Sequence, residues 1–133
     1  MHLTGLVLAA SLALATETAA SAGRVPAGEW NGPHARLYVE EKGARLELEC
    51  ARGTLEGALR LERGGRFHAK GLFRRERGAE MAEEAPAVED RPAQYSGALK
   101  GNVLTLRVLT EDEQKLGPFT LERGGRAELR KCQ

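Results

Sequence analysis

From Trp30 onward apolar and polar residues alternate, and glycine-containing turn pairs recur at short intervals. Leu37 and Val39 alternate with Arg36, Tyr38 and Glu40, and Leu46, Leu48 and Cys50 alternate with Arg45, Glu47 and Glu49. A period of two puts every second side chain on one face of an extended chain, so these segments read as half-buried strands. The alternation continues through Leu55, Leu59 and Leu61, then Phe67, Ala69 and Phe73, then Tyr95 and Leu99. It resumes in Leu104, Leu106 and Val108, in Phe119 and Leu121, and ends at Leu129. Lys42-Gly43, Arg52-Gly53, Gly64-Gly65, Lys100-Gly101 and Gly124-Gly125 supply the positive-φ positions that tight antiparallel connections need. No segment has a helical stripe. The pattern predicts an all-β chain, a small antiparallel meander of about seven to nine strands in a closed or nearly closed barrel, with a β-sandwich as the alternative.

Two stretches depart from this pattern. Residues 6–15 are apolar, and Ala20-Ser21-Ala22 before Gly23 has the small residues a signal peptidase accepts, so 1–22 reads as a signal peptide and 23–133 as a single β domain. The apolar run is too short to span about 30 Å of hydrocarbon, and no cysteine follows the cleavage point to take a lipid. The expected product is a secreted or periplasmic bacterial protein, soluble after cleavage and not membrane-spanning. The second departure is 75–92, rich in Glu and poor in residues to bury, which reads as a long polar loop serving either as a binding element or as an insertion.

Cys50 and Cys132 are the two cysteines, and an even count in an oxidising compartment reads as one disulfide pinning the last residues to an early strand. The net charge of +1 is small, and Arg and Glu alternate in stretches such as Arg45 to Glu49, so the charge reads as unsegregated and nucleic acid as an improbable partner. The hexapeptide Leu61-Glu62-Arg63-Gly64-Gly65-Arg66 recurs at Leu121-Glu122-Arg123-Gly124-Gly125-Arg126, which repeated hairpin chemistry explains as well as duplication does.

Catalytic groups are sparse. Ser96, in Gln94-Tyr95-Ser96-Gly97, is not in a nucleophile elbow, and His34 and His68 lie far apart with no metal-ligand spacing. His68 falls on the polar parity and reads as solvent-facing, and His34, after Pro33, as a turn residue. The reading is therefore of a protein that is not an enzyme and needs no cofactor or metal.

Gly28-Glu29-Trp30 resembles the Gly-x-Trp that opens the first strand of lipocalins and avidin-like barrels. That resemblance implies a tryptophan packed across the closed end of the barrel beneath a basic residue from the last strand, here Arg130 or Arg126. The wider pattern of Gly28 to His34, Leu46 to Gly53, Pro92 to Gly97 and Lys131-Cys132 is similar to a group of small exported bacterial proteins without an assigned activity. It implies export and paired cysteines. The leading expectation for function is a non-enzymatic barrel binding a small apolar ligand in the envelope, with Trp30, His34, Tyr95 and Arg130 at the binding site or barrel end. The alternative is a protein-binding module, such as a periplasmic hydrolase inhibitor, using the 75–92 loop. An interior that is a pocket favours the first; one that is a packed core favours the second.

Overall fold

The computed structural model describes residues 23–76 and 89–132. The expected signal peptide, 1–22, and residues 77–88 of the expected loop lie outside the described residues.

Eight antiparallel strands close into one barrel in sequence order: β1 (Gly28–Gly32), β2 (Ala35–Glu40), β3 (Gly43–Leu48), β4 (Ala51–Glu56), β5 (Arg66–Arg75), β6 (Arg91–Lys100), β7 (Val103–Thr110) and β8 (Lys115–Arg123). Among the described residues one short 3-10 turn, Arg63–Gly65, precedes β5. The barrel closes where β8 meets β1 through two register pairs, Trp30 with Arg123 and Asn31 with Glu122. The tail crosses this short joint: Glu128 makes an isolated parallel bridge to Pro33, and Cys132 forms a disulfide with Cys50.

Alternation puts the apolar side chains inside, and the register shows how they fit. Phe67 faces Gly97, Phe73 faces Gly53, and Leu55 faces Gly71. Large side chains therefore pass over small positions on the neighbouring strand, which is how a narrow barrel fills without a void. Gly71 and Gly97 also lie where neighbouring strands approach closely, because a Cβ at either would run into the carbonyl oxygen of Thr54 or Thr105 on the next strand. A Cβ at Gly97 would in addition come within 2.8 Å of the Phe67 ring. We expect Gly97→Ala to cost about 3 kcal/mol, the upper part of the range for overpacking, read as a fall in urea midpoint at unchanged slope. A midpoint equal to that of the parent would show that the strand can straighten there.

Three local expectations are corrected. Leu59 and Leu61 are not on a strand: the chain turns at Gly57, whose φ is 80°, and crosses the barrel end, where Val25 N–H donates to Leu59 C=O and Leu61 N–H to Gly23 C=O. Leu59 and Val25 are buried there as a plug. Leu129 lies in the tail and not on a strand. The expected loop of 75–92 is shorter at both ends, since Arg75 ends β5, and Arg91 and Pro92 begin β6, the two strands remaining paired out to Phe73 and Arg91.

Candidate functional site

Trp30 is completely buried at the plugged end, its indole N–H donating to Pro26 C=O at 3.0 Å. The basic residue associated with it is Arg123. This residue is its ladder partner on β8 and donates to Ala27 C=O, whereas Arg126 and Arg130 follow β8 in the tail. The expectation that Arg130 covers the tryptophan is thus corrected; the last strand ends seven residues earlier than that reading required.

Tyr95 is no more available. Its side chain runs through the barrel interior past Gly53, and its hydroxyl donates to Leu72 C=O at 2.5 Å. Burial pushes that hydroxyl well above its ordinary pKa, so it stays a neutral donor. Trp30, Tyr95, Phe67, Leu37, Leu104, Leu106 and Leu121 all have less than 2% exposure and together occupy the interior.

The opposite end is charged. His34 follows Pro33 in the two-residue turn between β1 and β2 with φ of 68°, the arrangement of a type II turn with proline first and a positive-φ residue second. Its Nδ1 lies 3.0 Å from Glu49 Oε1, while Glu49 Oε2 accepts from Arg130 N–H at 3.3 Å. The hydrogen bond to His34 and then that from Arg130 hold the Glu49 carboxyl below its ordinary range. Lys131 Nζ donates to Leu48 C=O and to Glu76, and Glu76 also accepts from Arg52. His34 and Arg130 therefore anchor the tail beside the disulfide.

A hydrogen-bonded and stacked row of side chains runs over the outer face of β1 to β5, a region the sequence reading did not single out. Asn31 is 6% exposed, donating to Glu29 and to Gly125 C=O, and its Oδ1 accepts from Arg36 Nε at 3.2 Å. Arg36 in turn donates to the Tyr38 hydroxyl and to Glu47. The guanidinium of Arg45 stacks 4.7 Å from the Tyr38 ring centroid. The Tyr38 hydroxyl, and after it Glu47 and Glu29, raise Arg36 above its ordinary pKa. Register continues the row from Tyr38 through Arg45 and Thr54 to Leu72, which is 39% exposed. A concavity of about 610 Å³ opens over these residues, and the Arg74–Asp90 pair, bonded through two nitrogens at 2.9 and 3.2 Å, borders it.

Strand pairing places Ser96 opposite His68, and His68 Nε2 is 3.5 Å from Glu62. The His68 side chain is 68% exposed on the open sheet. Water competes for each of its bonds there, and no hydrogen bond joins it to Ser96 among the described residues. Among the described residues no three His, Cys, Asp or Glu side chains gather as metal ligands. Among the described residues no helix is long and apolar enough to cross a membrane. Comparison with protein-family models, curated proteins and solved structures finds no match for this chain.

Proposed function

We propose that this protein is an exported, non-enzymatic module that binds another protein through the Tyr38 face, with inhibition of an envelope hydrolase as the specific form. The carrying observation is the contrast between the two sides of the sheet. The interior side is filled by Trp30, Tyr95, Phe67 and the leucines, which occupy the space an apolar ligand would need. The exterior side holds a tyrosine between two arginines, in a row that reaches an exposed leucine three strands on, and the arginine nearest the barrel joint is anchored by a buried asparagine. Tyr and Arg dominate the binding energy of protein interfaces, and side chains already held in place lose less entropy on docking. The disulfide supports export, because such bonds persist in oxidising compartments.

The test is titration against lysozyme and a serine protease, with enzyme inhibition as the readout. Parent protein should inhibit one of them, and Tyr38→Ala with Arg36→Ala should weaken that inhibition by about tenfold or more while leaving the thermal midpoint within a few degrees. An apolar probe that binds the native state stoichiometrically and raises its midpoint would overturn this reading in favour of an interior ligand. Turnover of a hydrolase substrate lost in Ser96→Ala would overturn it in favour of an enzyme.

A further inference from the structure

The closed sheet divides its charge in a way the linear sequence conceals. Strands β1 to β4 carry Arg36, Arg45 and Arg52 against Glu29, Glu40, Glu47 and Glu56. Strands β5, β6 and β7, 28 consecutive-paired residues of sheet, carry seven Arg or Lys and no Asp or Glu. Arg74, Arg75 and Arg91 are spent at one barrel end on Asp90, Asp112 and Glu111. Arg66, Lys70, Lys100 and Arg107 have no ion-pair partner among the described residues.

These side chains stand in rows set by the register. His68 is opposite Ser96, which is opposite Arg107; Lys70 is opposite Gln94, which is opposite Leu109. Arg66 and Lys70 are four residues apart on one face of β5, about 13 Å at strand rise. A broad concavity of about 1510 Å³ runs over His68, Lys70, Gln94, Ser96 and Leu109, with Lys70 its one Lys or Arg, while Arg66, Lys100 and Arg107 stand on the same three strands outside its lining.

We propose that the outer face of β5 to β7 binds a linear polysaccharide carrying spaced carboxylate or phosphate groups. Cations separated by a hydroxyl and an amide offer a sugar chain what it presents in return, acidic groups separated by hydroxyls. Glu56 borders the concavity on β4, Glu62 stands against His68, and Glu111 and Glu113 lie at its end, so a dense polyanion meets repulsion there that a sparsely charged chain avoids. Nucleic acid lacks the exposed aromatic rings on which bases stack, since Phe67, Phe73 and Tyr95, the aromatic side chains of these three strands, point into the barrel. A bilayer or an acidic protein would find, among the described residues, Leu72 and Val103 alone as exposed large apolar anchors.

The test is calorimetric titration of the whole protein at physiological salt with hyaluronan oligosaccharides, whose uronate charges alternate with neutral sugars. Neutral dextran, poly-glutamate and phosphatidylglycerol vesicles are the comparison ligands. The expected result is saturable hyaluronan binding that falls by about tenfold or more in Lys70→Glu with Arg107→Glu, both exposed, while circular dichroism and thermal midpoint stay those of the parent. Tyr38→Ala with Arg36→Ala should leave this binding intact, so failure here is separable from failure of the protein-binding reading. Absence of hyaluronan binding, binding untouched by the double charge reversal, or tighter binding of vesicles or poly-glutamate would each overturn the proposal.

Discussion

Replacing both cysteines, Cys50→Ala with Cys132→Ala, is expected to cost about 4 to 5 kcal/mol, the value of closing a loop of this length in the chain-entropy account. The bond spans 82 residues, nearly the whole barrel, and its Cα atoms are 5.1 Å apart. Thermal melting should shift down by roughly 15 °C or more, because each kilocalorie moves the midpoint of a domain this size by several degrees. The strands should persist, since none of their ladders uses the bridge. The tail should not hold as firmly: without the bond it keeps scattered hydrogen bonds, Glu128 with Gly32 and His34, Lys131 with Leu48 and Glu76, and residue 132 N–H to Glu49 C=O. Trypsin should then cut first at Arg126, Arg130 or Lys131. A variant that melts within two or three degrees of the parent would show that the tail is held by those contacts alone.

Trp30→Ala should be comparably damaging, about 3 to 5 kcal/mol. The indole has zero exposure, fills the plugged end beneath the Val25 and Leu59 crossing, and satisfies Pro26 C=O. Removing it leaves a cavity and an unpaired carbonyl where the barrel joint has only two register pairs. Because it is the sole tryptophan, the parent should show blue-shifted emission that moves red on unfolding. Trp30→Phe should recover more than half of the lost stability while still lacking the hydrogen bond. Red-shifted emission from the native parent would contradict the burial on which both expectations rest.

Period two and glycine placement made the architecture legible. Lys100-Gly101 turns β6 into β7 with φ of 61° at Gly101, whereas Arg52-Gly53, read as a turn, lies inside β4 and Gly43 opens β3 without a positive φ; eight strands close as a barrel, within the range the alternation implied. The cysteine count led to the observed bridge. Alternation could not separate a strand from a plug, because Leu59 and Leu61 keep the same spacing whether they join a ladder or cross a barrel end. The repeated hexapeptide makes the same point. Leu121 is buried at the end of β8 with Glu122 and Arg123 still on the strand, while Leu61 is half-buried outside any strand and Arg63 begins a 3-10 turn. Six identical residues followed their neighbours, since a ladder partner and not local propensity decides whether an extended segment pairs.

The exposed surface was least legible. Tyr38 reads as one polar-parity residue among many until Arg36 and Arg45 are brought against it, one of them from the next strand. The charge was read as unsegregated because the acids between β5 and β6 offset, in a linear count, the cations of the strands on either side. Sheet order undoes that cancellation. The Arg130 assignment failed for a related reason: without register, nothing distinguished Arg123 from the two arginines that follow it.

Closure of the barrel limits how anything can recognise this molecule. Each of the eight strands pairs with a neighbour on both sides, and the stretches without a second ladder partner are short: 66–70 of β5, beyond the end of β4, and 115–120 of β8, beyond the end of β1. A partner adding a strand of its own, the route by which many extended peptides gain affinity without reading much sequence, would find only these two short stretches to pair with. Over the rest of the barrel recognition falls to side chains on the outer wall, where single substitutions change it without touching the hydrogen-bonded frame beneath.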